Sequence, residues 1–243
     1  KNLSKRISHF ITYSQASKNY VKNLGVSAHH ITVATNTVDL EYFIQKTDEL
    51  RLEVSNQNCI NLLYVGYLSS RKNVSKLIQL VGHLDHAKYN FQLHIVGSGI
   101  EQSSLKELAN QSNYSDVIHF HGYRQKEELP HYFAQTDLFL FQTDFDIWGL
   151  VLNEAMAAGL TCLSSIHAVS TRELIASGEN GFQVNFSDID HCSNLIHNLA
   201  RDSARRKQLG ESARKTILNH ATLTNLTQQM IDVIENKRSH GTN

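Results

Sequence analysis

Net charge is the first thing this sequence lacks: 23 Lys and Arg balance 23 Asp and Glu over 243 residues. That balance argues against a dedicated nucleic-acid binder, whose phosphate partners call for a basic surface. Cysteine is scarce too, with Cys59, Cys162 and Cys192 far apart and odd in number. Such spacing supports neither a disulfide framework nor a metal site and suits a reducing compartment. A cytoplasmic protein is therefore expected, free or peripheral to the inner face of a membrane. No apolar run approaches the roughly 20 residues of a membrane span. There is no signal peptide, repeat or low-complexity segment, and Lys1 begins mid-pattern without an initiator Met, so a fragment of a longer chain is expected.

Present instead is enough apolar material, 41% of residues, for one large domain or two small ones with a real core. The 14 histidines form no metal-like pair on a helix and read as surface or core residues. One charge asymmetry stands out: Lys1, Lys5, Arg6, Lys18 and Lys22 precede Asp39 with no acid among them. Solvated face and phosphate- or membrane-facing patch both stay open there.

Short apolar runs alternate with amphipathic stretches. Strands are expected at Ile7 to Thr12, Ile31 to Thr35, Ile60 to Val65, Phe91 to Val96, Val117 to Phe120, Asp137 to Phe141 and Thr161 to Ser164. Between and beyond them, helices are expected at Ser14 to Leu24, Asn73 to Gly82, after Gly99 through Leu108, Lys126 to Phe133 and Gly149 to Ala158. Three more follow at Ile189 to Leu199, Ala204 to Leu218 and Leu223 to Ile234. Asp48 to Gln57 is polar and loop-like. This order predicts an α/β fold, a doubly wound, Rossmann-like parallel sheet covered on both faces. Ligands bind such sheets outside the carboxyl ends of the strands, so the loops after Val65, Val96, Phe120 and Phe141 should share one rim.

The stretch from Phe145 to Gly159 concentrates the chemistry. Asp146 precedes a helix, and Glu154 sits near its second turn with seven residues between them. Free N–H groups and the macrodipole at the helix start favour an anion. A phosphate there has a carboxylate on each side to accept hydrogen bonds from sugar hydroxyls, which suits a nucleotide sugar. Across the rim, Gly66-Tyr67-Leu68-Ser69-Ser70-Arg71-Lys72-Asn73 offers a tight turn and two cations. Gly97-Ser98-Gly99 does not complete a dinucleotide fingerprint.

These residues resemble the acidic signature of retaining, nucleotide-sugar-dependent glycosyltransferases of the GT-B fold, family 4. That signature is a Glu, seven residues and a second Glu, in a phrase ending Glu-Ala-Met-Ala-x-Gly. Glu154-Ala155-Met156-Ala157-Ala158-Gly159 matches as it stands, while Asp146 replaces the first Glu and Trp148 a Phe. Asn36-Thr37-Val38-Asp39 with Phe43 resembles the linker between the family's two domains, and Thr37 replaces a Gly. Lys72 falls on the Lys of Gly-Arg-Leu-x-x-x-Lys, but Tyr67 falls on its Arg. Val169 stands at a usual Gly in the loop ending Glu173-Leu174-Ile175, and Gly178 to Phe182 matches a hairpin-like phrase taken as structural.

The resemblance implies the C-terminal, donor-binding half of a GT-B enzyme. Residues 1–38 would be the tail of an N-terminal domain, 39–220 the nucleotide-sugar domain, and 221–243 a helix crossing back. The implied reaction moves a sugar from a nucleoside diphosphate sugar to an acceptor hydroxyl with retention, without metal or cofactor. The implied donor site comprises Gly66, Arg71, Lys72, Gly97, Gly99, Tyr123, Asp146, Gly149, Leu150 and Glu154. By that resemblance Lys72 would neutralise the leaving diphosphate, with Arg71 either joining it in place of the family Arg or standing solvated, the site then having one cation fewer; Asp146 would meet the donor sugar, and Glu154 the ribose. Lys72 and Asp146 are thus the expected catalytic residues. Tyr123 is either a base-stacking residue or a core aromatic. The acceptor, whether glycan, lipid-linked or protein, stays open, as does a rival: a non-catalytic nucleotide-sugar-binding subunit. An Asp reaches about 1.5 Å less than a Glu, one C–C bond, which favours the rival; its retained charge favours the enzyme. A hydride-transferring dinucleotide enzyme is a distant third.

Overall fold

Leu62 and Tyr64 bury on one face of a strand and Leu63 and Val65 on the other, which is how a strand covered on both sides reads. In the computed structural model, which describes residue 7 and residues 9–52 and 59–238, that strand is β3 (Ile60–Val65). It lies inside a six-stranded sheet with β4 (Phe91–Val96), β5 (Ile118–Gly122), β6 (Leu138–Phe141), β7 (Thr161–Ser165) and β8 (Phe182–Val184). Every pairing is parallel, in the order β5-β4-β3-β6-β7-β8. A separate parallel pair, β1 (Phe10–Thr12) and β2 (Ile31–Val33), is joined by α1 (Gln15–Asn23).

Two cores follow from the two faces. One packs α3 (Ser75–Val81), α4 (Gln102–Asn110) and α8 (Ile189–Arg201) on residues such as Leu93, Ile95 and Leu140. The other packs α2 (Leu40–Arg51), α5 (Leu129–Ala134), α6 (Leu150–Ala157) and α9 (Ser203–His220) on Leu63, Phe139 and Phe141. A short α7 (Val169–Leu174) follows β7, and α10 (Leu223–Arg238) ends the described chain against β2. Among the described residues no helix is long and apolar enough to cross a membrane.

The expected α/β sheet is present, with local corrections. Asp48–Arg51 is not loop but the last turn of α2, whose Leu40, Phe43 and Thr47 face the core and whose start Asp39 caps at Tyr42 N. Residues 53–57 of that expected loop, like Ser8 of the first strand, lie outside the described residues. The helix expected from Asn73 begins at Ser75, because Asn73 takes a left-handed φ of 43°. Lys126–Glu128 is a 3-10 turn before α5, with Pro130 admitted in the first turn. The loop ending Glu173-Leu174-Ile175 contains α7, which spans Val169–Leu174. The segment after Gly178 makes no hairpin: its strand, β8, runs parallel to β7.

Candidate functional site

In a parallel sheet the loops following the strands all leave from one edge. The order places β4 and β5 to one side of β3, and β7 and β8 to the other side of β6. The direction of winding therefore reverses between β3 and β6, and at such a point neighbouring loops part and leave a crevice. Gly66 to Asn73 follows β3 and Gln142 to Gly149 follows β6, so residues more than seventy positions apart meet across that crevice.

Lys72, only 8% exposed, bridges the two loops: its ammonium hydrogen-bonds Asp146 Oδ2 and lies 5.3 Å from the centre of the Phe141 ring. Arg71 NH1 lies 3.8 Å from Asp146 Oδ1 and donates to the Phe145 carbonyl at 2.7 Å, while half of its side chain stays in solvent. Asp146 is anchored on its own side: Oδ1 accepts Trp148 N–H at 3.2 Å, and its carbonyl accepts Val169 N–H at 3.0 Å. Both cations expected to meet a diphosphate thus converge on the carboxylate expected to meet the sugar. Tyr67, at the position without its cation, is exposed.

Helix α6 begins beside this cluster. Gly149 caps it at φ 79°, and a Cβ there would stand 2.2 Å from Phe141 Cζ, so only glycine lets the loop turn onto the strand end. Leu150 and Val151 follow as the first helical residues. Glu154, one turn further, is half-buried, and desolvation pushes its carboxyl up to about 7, an effect Lys126 partly opposes.

The glycines after β4 let two loops meet. A Cβ on Gly97 would stand 1.9 Å from the Gly66 carbonyl oxygen, and one on Gly99 2.1 Å from that of Leu68. They let the β3 and β4 loops lie in contact, which places the Gly66 turn. Tyr123 follows β5, two strands from the crevice, and is 64% exposed with its hydroxyl on Gln125, which removes the core-aromatic alternative.

Several contributors were missed in the sequence. Asp144 accepts Lys76 Nζ at 2.6 Å and Asn73 Nδ2 at 2.7 Å, tying the two loops together; the signal was a second acid two residues before Asp146. Glu173 accepts the N–H groups of Gln15 and Ala16 at 3.0 and 2.9 Å, and Tyr13 packs edge-on against Trp148 at 6.1 Å. Asn153 holds the Asn36 carbonyl at 3.0 Å. The β1–α1–β2 segment thus abuts the helices that border the crevice. Among the described residues no group of three His, Cys, Asp or Glu is placed to hold a metal ion. The histidines His94, His119 and His121 stack instead on β4 and β5, and burial, then the neighbouring imidazoles, bring His94 down to about 4.

Residues 45–216 match the family described as Glycosyl transferases group 1. A Klebsiella pneumoniae relative, an uncharacterized 41.2 kDa protein in the cps region, is 27% identical over 191 residues, 76% of this chain and 50% of the relative. The N-acetyl-alpha-D-glucosaminyl L-malate synthase of Bacillus anthracis is 24% identical over 177 residues, 73% of this chain and 42% of the relative. The chain thus spans half or less of the length of these relatives. The crystal structure of Anabaena Alr3699/HepE in complex with UDP superposes with a TM-score of 0.82 at 21% identity, over 94% of this chain and 64% of that one.

Proposed function

Because the chain belongs to the glycosyl transferases group 1 family, we propose that it is the donor-binding C-terminal half of a retaining, GT-B family 4 glycosyltransferase. In this reading residues 39–220 hold a nucleoside diphosphate sugar. Residues 1–38 and 221–243 belong to, or lead to, an N-terminal domain that brings the acceptor. One observation carries the reading: Arg71 and Lys72 meet at the N-terminus of α6, at the point where the winding of the sheet reverses. Two cations and a row of free N–H groups form a site for a diphosphate, not for a neutral ligand. The UDP in the Anabaena structure agrees with that chemistry.

The reaction breaks the bond between the anomeric carbon and the diphosphate and forms one to an acceptor hydroxyl on the same face, the hydroxyl proton leaving with the diphosphate. Negative charge grows on the departing phosphate. Lys72, Arg71 and the helix end are already in place to meet it, so stabilisation needs little reorganisation. As the diphosphate takes up the two cations, the Asp146 carboxylate is released towards sugar hydroxyls. Glu154, half-buried one turn along α6, receives the ribose. The rival, a binding subunit without turnover, draws on the same Asp146, held by Lys72, Arg71 and Trp148 N–H and one bond shorter than a Glu.

Titration calorimetry of residues 1–243 with UDP, GDP and ADP tests the site; no binding by any of the three would refute it. A transfer assay with the upstream domain supplied separates enzyme from binding subunit. Residues 1–243 alone are expected to bind and not to transfer, because one open face neither excludes water nor places an acceptor about 3–3.5 Å from the anomeric carbon.

A further inference from the structure

Of the two acids in the loop after β6, only Asp146 has a part in the donor site so far. Asp144 accepts hydrogen bonds from Asn73 Nδ2 at 2.7 Å, Lys76 Nζ at 2.6 Å and Gln142 Nε2 at 3.2 Å, and its N–H donates to the Arg71 carbonyl at 2.9 Å. The Thr143 hydroxyl lies between that carbonyl, at 3.3 Å, and the Phe145 carbonyl, at 2.9 Å, which also receives Arg71 NH1 at 2.7 Å. Three consecutive residues, 143–145, therefore hold Arg71 at both its backbone and its guanidinium. Asn73 is the described non-glycine residue with a positive φ, and its side chain is one that Asp144 grips. A residue keeps such a conformation when its surroundings hold it there.

The pairing of charges sharpens the point. Lys76 pairs with Asp144 at 2.6 Å and Lys72 with Asp146, while Arg71 stands 3.8 Å from its nearest acid with 51% of its side chain exposed. Arg71 is the cation that an arriving anion reaches without first breaking a close pair. A long side chain already held by the Phe145 carbonyl also loses less freedom on binding than one waving in solvent.

We infer that Asp144 is a positioning residue of the diphosphate site: it locks the turn from Ser69 to Lys76 so that Arg71 presents its guanidinium beside Lys72. The inference rests on the donor-site reading above. It makes the turn after β3 and the loop after β6 one unit, with Arg71 as the working end and Asp144 as the clamp.

A double-mutant cycle on residues 1–243 tests it, with Asp144→Ala, Asp144→Asn, Arg71→Ala and the two pairs. Affinities for UDP, GDP and ADP are read by calorimetry, and for the matching nucleosides by ligand-detected NMR. Asp144→Ala should weaken the diphosphate that the unsubstituted chain binds by about tenfold, the scale of one charge-assisted contact. It should leave the nucleoside unchanged. In the Arg71→Ala background the same change should have no further effect, because the two residues act as one. A general loosening would instead weaken the nucleoside as well, or add to the Arg71→Ala loss; either result overturns the inference, as does unmoved diphosphate affinity. If Asp144→Ala fails to fold, Asp144→Asn, which keeps an acceptor for Asn73 and loses the charge, carries the same cycle with a smaller loss expected. Failure of the unsubstituted chain to bind any of the three diphosphates sinks the donor-site reading itself.

Discussion

Helix α6 has cations at both ends, and the two ends teach different things. At its N-terminus Arg71 and Lys72 face Asp146 across the crevice, next to N–H groups that favour an anion. At its C-terminus, on the opposite edge of the sheet, Arg51, Arg206, Lys207 and Arg214 line a depression of about 400 Å³ together with Asp48 and Asp137. By composition that depression looks the better anion site. Its guanidiniums, however, are committed to the fold. Arg214 donates to the Ala157 and Ala158 carbonyls at 2.8 and 3.2 Å and bridges both oxygens of Asp48; Arg51 donates to Ala158 at 3.0 Å. Arg206 does the same for the Leu199 and Ala200 carbonyls at the end of α8 and pairs with Asp137 at 2.9 Å. Cations at a helix C-terminus satisfy carbonyls the helix leaves open and oppose its negative end. Cations at an N-terminus face an end that already wants a negative partner. The same residue types close helix ends at one edge and, in the donor-site reading proposed above, meet a ligand at the other.

Mutation can break that contrast. The largest effect should come from Arg214→Ala, which leaves the Ala157 carbonyl without its donor, leaves the Ala158 carbonyl to Arg51 alone and takes the close bidentate partner from Asp48. With Asp48 half exposed and its pair partly screened, about 2–3 kcal/mol of stability should be lost. That is a fall in Tm of roughly 4–12 °C for a chain of this size. Nucleotide affinity measured below the new Tm should not move, and a matching loss of affinity would abolish the distinction between the edges.

Lys72→Ala should do the reverse. Loss of one charge-assisted contact, roughly 1.5–3 kcal/mol, weakens a nucleoside diphosphate tenfold or more. The melting curve should change less than for Arg214→Ala, and unchanged affinity by calorimetry would remove Lys72 from the site.

Asp146→Asn acts within the rim itself. It should cost several-fold, about 1 kcal/mol, on the intact sugar nucleotide and less on the free diphosphate; equal losses would contradict the assignment of Asp146 to the sugar.

The smallest effect concerns pH. Glu154 is an acid whose carboxyl the fold raises to about 7, so the folded chain holds a proton that the unfolded chain releases near its ordinary value. The stability it contributes is full below the unfolded value and is lost as pH rises through about 7. If Glu154 holds the ribose as proposed, ionisation across the same range supplies its charged acceptor, so nucleotide affinity should rise a few-fold between about pH 6 and 8. Glu154→Gln should flatten both trends; a pH profile identical to that of the unsubstituted chain would exclude Glu154 as the group responsible.

How much of this was legible beforehand varies by residue. Strand β3 and the phrase from Glu154 to Gly159 were, because alternation and helical spacing are local patterns that burial enforces. Helix α2 was legible in principle: Asp39 before Leu40, Phe43 and Thr47 is a cap ahead of a helical stripe, obscured by the polar residues that follow. The Asp144 clamp was not, since nothing local pairs an acid after β6 with Asn73 and Lys76 after β3.

Sequence alone determined that strands and helices alternate, that the sheet is parallel, and that the loops after the strands share an edge. Each of these follows from which side of a short element is apolar and from the length of chain between elements. Tertiary structure decided the strand order and with it the reversal between β3 and β6, which brings Lys72 onto Asp146. It also decided that Arg214 belongs to the fold and Arg71 to the crevice, and that Glu154 titrates near neutrality. Those outcomes depend on which distant backbone ends up beside each charge and on how much water is left there, and the order of residues along the chain specifies neither until the sheet has closed.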